Sequence, residues 1–464
     1  MKYNYSRALI LFVGALALVS SICFAVPSRQ EPTSAQTVNQ QSVKPIAPWP
    51  VVESRVAETI KTLLDNVLVQ QAMQTLQADN AQALQETIAL CEIPAPPFGE
   101  QKKAEAFLKM LQASGLSDAK IDKEGNVVGI RKGVGKGPTL VVCAHLDTVF
   151  PIETKLKVQL RDGKYYCPGI TDDTRGLAVL LSWLRALNAA NVQTVGDLIF
   201  VGSVGEEGNG DLRGIKAFFR EHKNIDGYVG IEPLPMGVAS TLNPATIRYE
   251  VTYTAPGGHS YAAFGEVPSA IHALGRAIAK ISDIQTPVTP RTTFTVGVIS
   301  GGTSVNTIAP NAKMEIDIRS DDMKQLRVTE KQILDAIAQS VEEENKRWGT
   351  NTLTFSLKKI GDRPGGMTPN NSVIVQTSLA AMNAMDQKEI ILKGESTDAG
   401  VPISLGIPAI TLPPGGKHSG FHALDESFDA TDAYKGAQIG LTTVLSLAGV
   451  NGVSQPLLVI RDVK

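Results

Sequence analysis

Between Val51 and Asp79, valine, isoleucine, leucine and methionine recur at three- and four-residue spacing, which predicts one or two amphipathic helices. The same spacing runs through "NAQALQETIALCEI" until "PAPPFG" interrupts it, and "EQKKAEAFLKMLQASG" predicts a further helix that stops at glycine. From Asn126 onward the pattern changes. Short apolar runs, "NVVGIRK", "PTLVVCA", "DLIFVGSV" and "IDGYVGI", are interleaved with the helical stretches "TRGLAVLLSWLRALNAA" and "DLRGIKAFFREH". These runs are continuous, without the alternation of a half-exposed strand, so they predict strands covered by helices on both faces. The order predicts an α/β domain with a central, mostly parallel sheet flanked by helices.

Beyond Leu242 the order becomes strand "TIRYEVTYTA", helix "PSAIHALGRAIAKI", strand "TTFTVGVISG", strand "AKMEIDIRS", a long helix from Met323 to Arg347, and strand "TLTFSLKKI". This β-α-β-β-α-β order predicts a second, smaller α+β domain of split β-α-β type that interrupts the first. After "GDRPGGMTP" the α/β character returns with helix "NSVIVQTSLAAMNAM", strands "EIILKG" and "IPAITL", and helix "AYKGAQIGLTTVLSLAG". The expected organisation is therefore 51–242 and 363–464 for the two parts of the larger domain, with 243–362 inserted between them.

The N-terminus has a different character. "MKYNYSR" supplies Lys2 and Arg7, "ALILFVGALALVSSICFAV" is apolar throughout, and a polar stretch rich in proline, serine and glutamine follows. That sequence of regions reads as an export signal over 1–25, cleaved after Ala25, then a linker over 26–50. An uncleaved membrane anchor is the other reading, since Ala8 to Val26 is nearly long enough to span a bilayer. Cys23 would leave with the signal. Cys91, Cys143 and Cys167 would remain, an odd set that rules out a disulfide framework. The 464 residues carry 44 basic and 46 acidic side chains, a formal charge of -2, so charge gives no general case for a nucleic-acid partner.

In an open α/β sheet the sites form where the carboxyl ends of strands meet loops. Behind "PTLVVCA" come His145 and Asp147; behind "DLIFVGSV", Glu206 and Glu207; behind "IDGYVGI", Glu232; behind "IPAITL", His418 and then His422. "CPGITDD" sets Asp172 and Asp173 at a helix start. So much negative charge at one sheet edge would repel itself by several kcal/mol, which calls for a cation. Imidazole with carboxylate suits zinc, with manganese or cobalt as lesser options. Five such groups, one able to bridge, match a pair of metals about 3.5 to 4 Å apart. Neighbouring residues near a strand end point in opposite directions, so one of the two adjacent glutamates would bind metal while the other takes a proton from water. No "GxSxG" elbow follows a strand, which argues against a serine hydrolase.

"HLDTVFP", "PGITDDTRG", "GEEGNGD", "GIEP", "PGGHS", "GGTSVNTIAPNAKMEIDIRS", "STDAG" and "HALDESFD" occur in an order that resembles the zinc-dependent exopeptidases and deacylases. That group includes peptidase T, glutamate carboxypeptidase, acetylornithine deacetylase and succinyl-diaminopimelate desuccinylase, and the similarity runs from about Glu86 to Gly449. The resemblance implies a role for each matching residue. His145 and Glu232 would hold a first metal, Glu207 and His422 a second, and Asp172 would bridge them. Glu206 would be the general base, and Asp147 the carboxylate that orients His145. His422 is preferred to His418 because "HALDE" has the family spacing to Glu426. In the inserted lid, His259 would reach a partner subunit's site in a homodimer and steady the oxyanion, while Arg319 and Asn306 would contact substrate, Arg319 through its planar fork. Thr174 and Arg175 depart from the lysine and small residue of many relatives, which bears on substrate preference. The implied substrate is a small peptide, with an N-acyl amino acid as the alternative on the same site; a non-catalytic binding protein on this fold is the rival from another class.

Overall fold

A computed structural model describes residues 52–462. The export signal and linker expected over 1–50 lie outside the described residues, and among those described no helix is long and apolar enough to cross a membrane. The chain opens with helices Ser54–Asp65, Val67–Ala78, Asn80–Cys91 and Gln101–Ala113. Asn66 separates the first two by accepting the backbone N–H groups of Leu68 and Val69 on its side-chain oxygen, an N-cap that ends one helix and starts the next.

The central sheet has nine strands. Asp197–Ser203, Thr139–His145, Gly227–Ile231 and Ala409–Leu412 lie side by side in that order and run parallel. Antiparallel partners extend both flanks: Val127–Arg131 beside Asp197–Ser203, and Val238–Asn243 beside Ala409–Leu412. Alternate residues of the centre strands serve opposite layers, as the two-residue period requires. Leu140, Val142, Leu198 and Phe200 join the core under helices Thr174–Ala189 and Tyr434–Ala448. Val141, Cys143, Ile199 and Val201 join the core under helix Arg213–Glu221, with its Ile215, Phe218 and Phe219. Double-sided burial is why these strands read as continuous apolar runs. Cys91, Cys143 and Cys167 are all buried free thiols. Trp183 fills the larger layer, its indole N–H donating to the carbonyl of Ala437 at 2.8 Å. Gly440 makes room for it: a Cβ there would lie 2.3 Å from the indole ring.

The inserted unit is a four-stranded antiparallel sheet in the order Thr292–Gly301, Asn311–Ser320, Ala245–Thr254, Thr354–Arg363. Helices Ala270–Ser282 and Met323–Trp348 cover one face, where Ile247, Val251, Met314, Ile316, Leu274 and Ile333 form a separate core. The long helix starts on Asp322, which accepts the N–H of Gln325 at 2.7 Å, and stops at Gly349 in the left-handed region. The opposite face keeps its polar residues, among them Arg248, Glu250, Asp317 and Arg319. Two features escape the hydrophobic pattern. Val238–Asn243, a mixed-polarity stretch, is a full strand of the central sheet, and Gln159–Arg161, Lys164–Tyr166, Lys417–Ser419 and Ser427–Asp429 make a small second sheet.

Candidate metal centre

Because strands Asp197–Ser203, Thr139–His145 and Gly227–Ile231 are parallel neighbours, their carboxyl ends fall on one edge. His145 is the last residue of its strand, Glu206 and Glu207 follow Asp197–Ser203, and Glu232 follows Gly227–Ile231. Asp172 comes in from the loop ahead of helix Thr174–Ala189, joined to Asp173 by a cis peptide. His422 arrives from the turn between the small strands Lys417–Ser419 and Ser427–Asp429, with a backbone φ of 60°. That left-handed conformation is uncommon for a residue bearing a Cβ, and such outliers concentrate at functional sites.

Asp172 sits at the centre. Its Oδ1 lies 3.0 Å from Nε2 of His145, and its Oδ2 lies 3.1 Å from Nε2 of His422. Nε2 of His145 also faces Oε2 of Glu232 at 3.7 Å, and Nε2 of His422 faces Oε1 of Glu207 at 3.1 Å. One carboxylate therefore divides its oxygens between two imidazoles, and each imidazole has a second carboxylate beside it. A tetrahedral zinc ion with bonds of about 2.0 to 2.1 Å needs donor atoms about 3.3 Å apart. The observed 3.0 to 3.7 Å spacings fit two such sets sharing Asp172.

The charges give the same answer. Burial pushes the Glu232 and Asp173 carboxyls well above the usual range, and pushes Glu206 up to about 8. Hydrogen bonds that it donates to the carboxylates of Asp172 and Glu207 raise His422 to about 10. Burial alone would depress His145, but Glu232 and Asp172 together hold it well above the ordinary imidazole value. With only the protein's own groups, protons on two imidazoles must offset the carboxylates; divalent cations are the natural substitute. His145, Asp172 and Glu207, and likewise His145, Asp173 and Glu232, bring donor atoms within 4.8 Å of one another.

The groups behind these donors fix them in place. The carboxylate of Asp147 accepts the backbone N–H of Glu206 at 3.0 Å and of Glu207 at 2.8 Å, so it holds the glutamate pair directly. Toward His145 its closer atom is the backbone carbonyl, 3.0 Å from Nδ1, against 3.7 Å for the carboxylate expected to orient that ring. Asp173 turns away from the cleft and accepts the N–H of His145 at 3.0 Å. Glu426, fully buried, accepts from the N–H groups of Gly169 and Thr171, each at 2.8 Å, and of Asp172 at 3.2 Å. The "HALDE" spacing thus links the His422 turn to the Asp172 loop. Glycines shape the turn after Val201–Val204: Gly205 has φ of 69°, and a Cβ on Gly210 would lie 2.4 Å from the Cα of Gly205.

The cleft, about 550 Å³, is floored by Asp172, Glu206, Glu207, Glu232 and His422 and overhung by Arg248 and Arg319 of the lid. Arg248 Nε and Arg319 Nε both donate to Asp317, at 2.8 and 2.7 Å, so two guanidinium groups share one carboxylate. His259 and Asn306 do not line this cleft. They sit beside each other in the lid, where Asn306 accepts the N–H of Ser260 through its carbonyl at 2.9 Å. His418 packs against Phe421, the rings tilted by 41° with centroids 4.8 Å apart, and burial lowers its imidazole to about 4. Two buried residues of the site escaped the strand-end reading. Arg363, from the end of the last lid strand, donates to Glu206 at 3.0 Å, and Asp398 of "STDAG" accepts the Ser203 hydroxyl. Arg363 ends a lid strand and so lies outside any reading of the central sheet's strand ends, whereas Asp398 follows Ile391–Gly394 of that sheet and was read only within a family motif.

Residues 141–446 match the model of peptidase family M20/M25/M40. Carboxypeptidase G2 of a Pseudomonas species is 32% identical over 142 residues, 30% of this chain and 34% of that enzyme. The first curated relatives are matched over 42% and 44% of their length, so the chain spans under half of each. Among solved structures, the aminopeptidase PepT of Bacillus cereus superposes with a TM-score of 0.65 at 20% identity, over 79% of this chain and 98% of that one. A dinuclear metal-binding peptidase of Bacillus subtilis gives 0.58 at 15%, over 80% and 99%.

Proposed function

This chain belongs to peptidase family M20/M25/M40, and we propose that it is a metallo-exopeptidase that hydrolyses an amide bond of small peptides with two zinc ions. The observation that carries this reading is the division of Asp172 between His145 and His422, with Glu206 left beside Glu207 and outside both donor sets. His145, Glu232 and Asp172 would hold one ion, and Glu207, His422 and Asp172 the other. Bound there, the ions supply Lewis acidity, which lowers the pKa of water toward neutrality and polarises a carbonyl.

The remaining work falls to the chain itself. Glu206 is 5% exposed and no group among the described residues donates to its Oε2, so that oxygen is available to take a proton from the attacking water. Burial raises the proton affinity of its carboxyl, which suits it to take that proton and return it to the leaving amine nitrogen. A cleft of about 550 Å³ accepts a substrate of two or three residues. The pairing of Arg248 and Arg319 on a single Asp317 leaves positive charge at its rim, which favours substrates with a free carboxylate. That observation suits carboxypeptidase action and equally the deacylation of an N-acyl amino acid. The second reading is kept on that ground. We further propose that the chain is exported, and that it pairs as a homodimer through the lid. The placement of His259 and Asn306 away from their own cleft supports the dimer, as does the exposed edge strand Thr292–Gly301 with Val298 and Ile299 uncovered.

Two substitutions separate the roles of the glutamate pair. Glu206→Gln should keep the bound metal and lose on the order of 10³-fold or more in kcat, whereas Glu207→Ala should lose metal. The measurement is metal content beside turnover of a panel of dipeptides and N-acyl amino acids. Near-normal hydrolysis by Glu206→Gln would refute the assignment of the base.

A further inference from the structure

The lid reaches the general base through one side chain. Arg363 is the last residue of strand Thr354–Arg363, directly ahead of Pro364, Gly365 and Gly366, where the chain returns to the larger domain. It is only 6% exposed. Nη1 donates to Oε1 of Glu206 at 3.0 Å and to the hydroxyl of Ser396 at 3.2 Å, and Nη2 donates to the backbone carbonyl of the same Glu206. The fork therefore grips both ends of one residue, its carboxylate and its main chain.

Two neighbours of the fork pull on the same loop. The N–H of Asp362 donates to Oδ1 of Asp211 at 2.9 Å, and Arg248 Nη1 donates to the carbonyl of Gly208 at 3.0 Å. Three lid residues thus hold the segment 206–211 that carries the base and a metal donor. The two strands that connect lid and sheet touch backbone to backbone at this point: a Cβ on Gly365 would lie 2.3 Å from the carbonyl oxygen of Asn243 and 2.4 Å from the nitrogen of Ala245. Arg363 is therefore at the pivot, where lid rotation moves a Cα least and changes the direction of a side chain most.

The geometry points to Arg363 as the residue that positions the Glu206 carboxylate and ties its orientation to the hinge of the lid. With Oε1 held by the guanidinium, Oε2 faces the cleft in one orientation. Without it, the carboxylate is free to rotate about its terminal torsion, which is broad for glutamate. A misplacement of about 1 Å costs on the order of 10²-fold in rate. Arg363 touches no reacting atom; it acts through Glu206, as a hinge residue that sets the catalytic arrangement.

This inference rests on the reading of Glu206 as the base, and the test separates the two. Arg363→Met, Arg363→Lys and Glu206→Gln are assayed beside the native enzyme, each metal-loaded, on the best substrate of the panel. Arg363→Met should lose on the order of 10²-fold in kcat with KM within about threefold and metal content unchanged. Added guanidinium chloride at about 50 mM, below the denaturing range, should restore about tenfold to Arg363→Met and nothing to Glu206→Gln. Arg363→Lys should be intermediate, since an ammonium cannot bridge the carboxylate and the backbone carbonyl of Glu206 as the fork does. Should Arg363→Met fail to fold, Arg363→Lys decides: a loss of about tenfold in kcat at native metal content supports the inference, and native kcat overturns it. Native kcat in both Arg363 variants with Glu206→Gln inactive would overturn this inference alone, whereas an active Glu206→Gln would overturn the assignment of the base.

Discussion

The floor of the cleft and the lid above it contain similar residues put to different use. On the floor, most of the polar groups are buried, His422 being the exposed one, and several are held through backbone amides: Asp147 holds the amides of Glu206 and Glu207, Asp173 holds the amide of His145, and Glu426 holds the loop of Asp172. In the lid the comparable buried carboxylate, Glu344, is fully enclosed and accepts from Trp348 at 2.9 Å, Arg276 at 3.1 Å and the N–H of Ser269 at 3.3 Å, with no donor of the cleft nearby. Its other charges, such as Arg248, Arg319 and Glu250, lie on the uncovered face of the sheet. The floor holds its donors through the backbone, as metal positions would require; under the proposed function the lid would present charge to substrate. Preorganisation belongs to the first and selection to the second.

The comparison breaks most sharply at the two buried glutamates. Glu426→Ala leaves three backbone donors and the Thr171 hydroxyl unpartnered, each costing about 1 to 3 kcal/mol if water does not replace the carboxylate. It should also weaken metal binding by about 10- to 100-fold in chelator competition. Glu344→Ala should lower the thermal midpoint to a similar degree and leave metal affinity unchanged. Equal metal loss in both would erase the distinction between floor and lid. A smaller effect is expected from Arg319→Met, which should raise KM about tenfold for a substrate with a free carboxylate and leave kcat nearly intact, as befits a contact made equally before and during reaction. Smallest is Ile299→Lys on the exposed edge strand. Folding stability should change by about 0.5 kcal/mol or less, while sedimentation shifts from dimer to monomer.

Much of the floor was legible in the sequence because its residues follow strands whose apolar runs announce themselves. The rule that parallel strands end on one edge brought up His145, Glu206, Glu207 and Glu232, with His418 and His422 beside them and Asp172 at a helix start; the preference for His422 and the bridging role of Asp172 came from family motifs. The division of labour around them was less visible. Asp147 was expected to serve His145, yet its carboxylate is taken up by the amides of Glu206 and Glu207, a consequence of loop conformation that no spacing encodes. In the lid, the order of strands and helices was readable from periodicity, and Arg319, expected to contact substrate, lines the cleft. Arg363 was not readable. Its contact with Glu206 spans 157 positions and depends on how two connecting strands cross, which side-chain pattern does not record. Val238–Asn243 was missed for a related reason: its threonine, serine and asparagine dilute the apolar signal although the strand lies inside the sheet.

The most direct test of the account is diffraction at the zinc absorption edge from crystals of the purified protein grown with excess zinc. The account predicts two anomalous peaks about 3.5 to 4 Å apart, one on each side of the Asp172 carboxylate, the first also touched by His145 and Glu232 and the second by Glu207 and His422. Peaks elsewhere, or none among these five residues, would contradict it.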